Sequence, residues 1–271
     1  MKALITGASS GIGRDMARIL ARRGCELILT ARRRDRLEEL QKELSVPVTI
    51  LCADLSREKD CFELYRQVRN ENVDIVINNA GFGVFGPFDE TNLQRELSML
   101  DVNIRALHIL TKLFLRDFKK RNFGYILNVS SSAAFLPGPL LSSYYASKAY
   151  VLRLTQAIQE ELRHSHSRVY VGAFCPGPVS TEFDRVANVE FTVKNISSQR
   201  AAAVAIQQMF RRQPLIITGT DMKASKVLVR LIPDKLLLRI SYHLQKRKQG
   251  TEVPNRKGGS RPHPKGSVNH G

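Results

Sequence analysis

The feature that most constrains this chain is an alternation. From Lys2 to about residue 220, short apolar runs alternate with stretches of helical periodicity. Strands are expected at Lys2–Thr6, Glu26–Thr30, Val48–Leu51, Val73–Ile77, Gly124–Ser130, Arg168–Phe174 and Leu215–Ile217. Helices are expected at Gly11–Arg23, Arg33–Leu44, 57–70, 92–121 (in one piece or two), 143–163 and 199–212. The strand runs are apolar at consecutive positions, the mark of strands buried on both faces. Strands that alternate with helices pair in parallel beneath them, and right-handed crossovers wind such a chain doubly. The expected fold is α/β, a doubly wound parallel sheet of about seven strands with helices on both faces.

Composition agrees with a globular protein: 271 residues, 43% hydrophobic and 25% charged. Wholesale disorder, a disulfide-dense mini-protein and a fibrous repeat are excluded. The four cysteines form no CxxC pair and no His stands at metal-ligand spacing from them. Reduced thiols, a cytoplasmic setting and no metal site are therefore expected. No run of 18 uncharged apolar residues is present, and the first motif begins at Thr6, so neither a membrane span nor a cleaved leader is expected.

Residues 1–220 are expected to form one domain, with an irregular polar segment at 180–198 placed to cover a site. A basic, apolar-rich extension follows at 221–248, then a Gly/Pro/Lys-rich tail at 249–271 expected to be disordered. The formal net charge is +17, and from Lys246 onward seven Lys or Arg face one Glu. Such a field attracts anions. No nucleic-acid module or aromatic interleaving accompanies it, so no nucleic-acid partner is expected. The stretch 226–248 mixes Leu, Ile and Val with Lys and Arg. Packing on the core, a subunit interface or the substrate pocket is favoured over peripheral membrane contact, and Pro233 breaks or kinks any helix there.

The first strand ends in Thr6-Gly7-Ala8-Ser9-Ser10-Gly11-Ile12-Gly13. A glycine-rich turn between a strand and a helix N-terminus offers free backbone N–H groups and the positive dipole end to a pyrophosphate. The spacing TGxxxGxG resembles that of the short-chain dehydrogenase/reductase family. A Rossmann-like domain that binds a nicotinamide dinucleotide is implied. Where an acidic residue would hold the 2′-hydroxyl of NAD, this chain has Arg32 and Arg33, with no carboxylate before Asp35. Guanidinium groups suit a 2′-phosphate, so NADP(H) is expected in preference to NAD(H).

The resemblance also assigns cofactor contacts to Ser9, Ser10 and Ile12 in the glycine turn, to Asp54-Leu55, and to Asn79-Ala80-Gly81 of an NNAG-like motif. It extends to Pro176, Gly177, Val179 and Thr181 in the PG-x-V-x-T-like segment. Cys175, just before that segment, is read as packing.

Tyr144 and Lys148 stand four apart in a helical stretch, on one face. An ammonium beside a phenol stabilises the phenolate, lowering a pKa ordinarily near ~10 toward a value useful for proton transfer. By resemblance these two residues, not Tyr145, are the catalytic pair, and both touch the cofactor. Ser131 falls at the family's serine position, where a hydroxyl polarises the substrate carbonyl; strand-end capping is expected to fall to the flanking serines. Asn103 matches the family's helix asparagine, which serves a water-borne proton relay to Lys148. The implied reaction is hydride transfer between NADP(H) and a ketone, aldehyde or alcohol. Site-lining loops at Phe82–Phe88, Phe135–Leu141 and Phe183–Val193 suggest an apolar substrate, and relatives are often homodimers or homotetramers.

Overall fold

The computed structural model describes residues 1–180, 182, 196–218 and 232–246. The chain runs through β1 (Lys2–Thr6), α1 (Gly11–Arg22), β2 (Glu26–Ala31), α2 (Arg34–Glu43), β3 (Val48–Cys52), α3 (Glu58–Val68) and β4 (Ile75–Asn78). It continues through α4 (Leu93–Leu100), a π-helical turn at Asp101–Ala106, α5 (Leu107–Arg121), β5 (Tyr125–Val129), α6 (Ser142–His164) and β6 (Tyr170–Cys175). Two short strands, β7 (Val179–Ser180) and β8 (Ile196–Ser197), precede α7 (Ser198–Phe210), β9 (Leu215–Ile217) and α8 (Asp234–Lys246). Seven strands form one sheet in the order β3-β2-β1-β4-β5-β6-β9, and every pairing in it is parallel. The doubly wound α/β fold read from the sequence is the fold observed. The order reverses at β1/β4, where an open α/β sheet places its ligand crevice, outside the strands' carboxyl ends.

Strand residues alternate between two cores. Ala3, Ile5, Leu27, Leu29, Ile75 and Ile77 pack beneath Met16 and Leu20 of α1, Leu37 and Leu40 of α2, and Ala201, Ala205 and Met209 of α7. Leu4, Ile28, Val76, Ile126 and Val171 pack on the other face against Cys61 and Leu64 of α3, Phe114 and Phe118 of α5, and Leu162 of α6. The central strands are thus apolar at consecutive positions because they have no solvent face, whereas the edge strand β3 leaves Thr49 and Cys52 exposed.

The expected helix over 92–121 is continuous except for the wide turn at 101–106. Pro233 lies just before α8, where its missing N–H costs the helix nothing; its carbonyl accepts from the amides of Leu236 and Leu237 at 3.0 Å each. α8 buries Leu237, Ser241 and Gln245. Ser241 Oγ donates to the Pro137 carbonyl at 2.8 Å, and Gln245 Nε2 donates to the Tyr145 hydroxyl. The described part of the C-terminal extension therefore packs on the loop leading into α6. Residues 226–231, 247 and 248 and the tail lie outside the described residues, as does most of the segment 180–198. No described helix is long and apolar enough to cross a membrane.

A buried polar knot locks the middle of the sheet. Asn78 Nδ2 donates to Asn128 Oδ1 (2.8 Å) and Thr111 Oγ1 (3.0 Å), and Thr111 Oγ1 donates to Asn128 Oδ1 (3.1 Å). Asn128 Nδ2 donates to Thr155 Oγ1 at 3.0 Å. The knot joins adjacent strands to α5 and α6 where water is excluded, so removing one member strands several others. Asn128→Ala is expected to destabilise the fold by about 2–4 kcal/mol, read as a lower urea midpoint at unchanged m.

Candidate active site

The glycine turn is tied down from below. Gly7 has φ +67°, a left-handed conformation that favours glycine. Thr6 Oγ1 accepts from the amides of Asn79 (2.9 Å) and Ala80 (3.0 Å), and Asn79 Nδ2 donates to the Thr6 and Gly7 carbonyls (3.0 and 3.2 Å). The ends of β1 and β4 are thereby stitched together. A Cβ on Gly13 would lie 2.5 Å from the Gly7 carbonyl oxygen, so Gly13 serves the packing of α1 under the turn. Ser10 precedes α1 in extended conformation without a side-chain cap, and the first turn carries no acid. A helix start left open in this way suits an anion.

A cavity of about 650 Å³ opens at the strand ends, within the usual range for a small-molecule site. Every residue expected from the sequence at the site lines it except Gly13, Asn103 and Thr181. Gly13 and Asn103 lie one layer behind, and Thr181 is outside the described residues. Arg33 Nη2 donates to Ser9 Oγ at 3.2 Å and pairs with Glu182 Oε2 at 2.7 Å. Arg32 also lines the cavity. Burial alone would raise the Asp54 carboxyl, but hydrogen bonds from the Ser56 hydroxyl and amide, with Arg32 and Arg57 nearby, hold it below its ordinary value. Of the three loops expected to line the site, Phe82 reaches the cavity. Gly138 packs close against the Tyr145 ring. The third loop, 183–193, lies outside the described residues.

The side chains expected to react come from the turn just after β5 (Ser131) and from α6 (Tyr144 and Lys148). Ser143, beside Tyr144, donates to the buried Glu96 carboxylate at 2.9 Å and fixes the start of α6. Ser131 Oγ accepts from the Ala133 amide at 3.1 Å, so Ser131 itself caps the short turn Ser132–Phe135, a duty expected of its neighbours. Ser130 instead donates to the Lys148 carbonyl at 2.7 Å. Ser131 also lies within hydrogen-bonding reach of the Tyr144 phenol, where it favours the phenolate.

Lys148 is 5% exposed; its Nζ donates to the Val129 carbonyl at 3.1 Å and lies 5.7 Å from the Tyr144 ring centre. Asn103 is fully engaged. Its Oδ1 accepts from the Phe82 amide (3.1 Å), and its Nδ2 donates to the Phe82 carbonyl (3.0 Å) and Ser147 Oγ (3.1 Å). Ser147 in turn donates to the Tyr144 carbonyl at 2.6 Å. Asn103 thus braces the backbone beneath the Tyr144–Lys148 pair, from within the π-helical turn. Sequence patterns gave no sign of Ser147, Glu96 or Glu182, whose partners lie 44, 47 and 149 residues away.

The protonation pattern differs from the sequence expectation. Burial raises the Tyr144 phenol above its ordinary value, with the Ser131 hydrogen bond partly offsetting it. Burial also pushes the Lys148 amine down to about 8. Desolvation disfavours both charged forms, so it outweighs the pull of one amine on one phenol. The unfolded chain therefore binds a proton at Lys148 between about pH 8 and the ordinary 10.5, where the folded chain does not. Stability from this group is lost as pH falls through 8 and regained as pH rises toward 10.5. Lys148→Met removes that slope, so the melting temperature of wild type relative to Lys148→Met is expected to rise over this window.

Comparison with known proteins agrees with this architecture. The short chain dehydrogenase family model matches residues 1–190. An uncharacterized oxidoreductase of Staphylococcus epidermidis is 32% identical over 182 residues, 66% of this chain and 78% of that protein. The short-chain dehydrogenase from Sphingobium yanoikuyae, solved with NADPH, superposes with TM-score 0.76 at 31% identity, covering 93% of this chain and 98% of its own. The bulky-bulky ketone specific alcohol dehydrogenase from Comamonas testosteroni gives TM-score 0.71 at 27% identity, covering 94% and 96%. This chain belongs to the short-chain dehydrogenase family and is an oxidoreductase.

Proposed function

We propose that the protein interconverts a carbonyl compound and an alcohol with NADP(H), in preference to NAD(H). The observation that carries this reading is convergence: Ser131, Tyr144 and Lys148 line the same cavity as the open glycine turn and Arg33. The donor set fits the cofactor. The uncapped start of α1 and Ser9 suit a pyrophosphate, and Arg32 and Arg33 suit a 2′-phosphate. When bound, the nicotinamide supplies or takes up a hydride. NADPH in the Sphingobium yanoikuyae structure and ketone specificity in the Comamonas testosteroni enzyme support the reading.

Each side chain then has a distinct task. Tyr144, held protonated by burial, donates its phenolic proton to the carbonyl oxygen in reduction. Ser131 steadies the charge that develops on that oxygen. Lys148, titrating near neutrality, returns a proton to Tyr144 and binds the nicotinamide ribose. Asn103 supports that resupply by fixing Ser147 and the turn at Phe82. Tyr145 is unsuited to the same work because its hydroxyl is engaged by Gln245. Asp54, Leu55, Asn79, Ala80 and Gly81 hold the adenosine and ribose side, and Pro176, Gly177, Val179 and Thr181 the nicotinamide side. Phe82, Val102, Val179 and Tyr145 in the cavity wall suit an apolar substrate. The family resemblance further supports a homodimer or homotetramer, the cysteine pattern a cytoplasmic setting, and the strand–helix alternation residues 1–220 as the catalytic unit.

A panel of ketones, aldehydes and alcohols, followed by NADPH absorbance, tests the activity. Tyr144→Phe is expected to lower kcat by about 10³-fold or more while NADPH binding stays within about 3-fold, and Ser131→Ala to lower kcat by about 10²-fold. Near-normal turnover by Tyr144→Phe would remove the assigned proton donor.

A further inference from the structure

Arg33 is not idle where it lines the cavity. One nitrogen, Nη2, is shared between Ser9 Oγ at 3.2 Å and Glu182 Oε2 at 2.7 Å. Ser9 belongs to the glycine turn, and Glu182 lies two residues past β7, so a carboxylate from the far wall reaches across to the phosphate-binding wall. The pair is only partly exposed, at 42% and 31% of side-chain area. A carboxylate at this point shows that the Arg33–Ser9 corner accepts an anion supplied by the protein itself.

We propose that Glu182 is an internal stand-in for the cofactor's 2′-phosphate, and so sets how strongly the protein discriminates NADP(H) from NAD(H). The inference rests on reading the cavity as a dinucleotide site. A 2′-phosphate carries up to two negative charges and takes the same guanidinium through short, charge-assisted hydrogen bonds. It cannot share Arg33 with Glu182 without repulsion, so phosphate binding displaces the carboxylate. A 2′-hydroxyl brings no charge and leaves the Arg33–Glu182 pair standing. Glu182 therefore weakens NADPH selectively, and Arg33 favours NADPH by the margin left after this exchange.

Binding of NADPH, NADH, 2′,5′-ADP and 5′-ADP by calorimetry separates the possibilities, using wild type, Glu182→Gln, Arg33→Gln and the double variant. Glu182→Gln is expected to tighten NADPH and 2′,5′-ADP by about 3- to 10-fold, in keeping with a partly exposed pair. NADH and 5′-ADP should move less than about 2-fold. The gain should vanish in the Arg33→Gln background, because the competition runs through that guanidinium. If Glu182→Gln leaves NADPH unchanged, or shifts both dinucleotides alike, the stand-in role is overturned while the dinucleotide site stands. If Glu182→Gln weakens NADH instead, Glu182 is a ribose ligand and the inference is reversed. If wild type binds none of the four nucleotides, the dinucleotide reading falls, and this inference with it.

Discussion

The stitch between the ends of β1 and β4 decides the shape of the site. Four hydrogen bonds join Thr6 and Gly7 to Asn79 and Ala80 across the point where the strand order reverses. A crevice at a switch point would otherwise be a splayed gap between two loops. Here the loops share donors and acceptors, so the glycine turn and the segment 79–81 form one wall. Gly81 shows how tightly that wall meets the reactive side: a Cβ there would fall 2.8 Å from Asn103 Oδ1 and 3.2 Å from Lys148 Nζ. Gly81 therefore brings the wall of the glycine turn into close contact with Asn103 and Lys148.

Desolvation governs the chemistry of the second half. The same enclosure that lifts Tyr144 depresses Lys148. At neutral pH the phenol is protonated, and the amine, depressed only to about 8, is still mostly an ammonium, the form that can give a proton to a phenolate. The Val129 carbonyl accepts from Lys148 Nζ and orients it, and the phenol beside it stays neutral, so the enclosure holds no ionised pair. A buried ionised pair would need far stronger compensation.

Much of this was legible in the sequence, for a physical reason. Strands with no solvent face are apolar at nearly every position, so β1, β2, β4 and β5 announce themselves, and the amides that β4 and β5 bury, Asn78 and Asn128, are hydrogen-bonded to each other. A turn that demands φ > 0 at Gly7 and a methyl-free contact at Gly13 leaves its glycines in plain view. The fine structure was less visible. The wide turn at 101–106 depends on Asn103 bonding to Phe82, and no local pattern encodes that partner. Ser131 performs the capping assigned to its neighbours because the chain turns directly after it. The direction of the Tyr144 shift followed from enclosure, which one-dimensional spacing does not reveal. Glu182 meets Arg33 only because the crossovers return the chain to the opposite wall.

The C-terminal helix touches the rest of the protein at a telling place. Through Ser241 and Gln245 it grips Pro137, in the loop that launches α6, and Tyr145, in the first turn of α6 beside Tyr144. The catalytic sheet contributes nothing to this clasp. The helix is thus a buttress set outside the sheet, holding the phenol's neighbour in register through two polar grips and the buried Leu237.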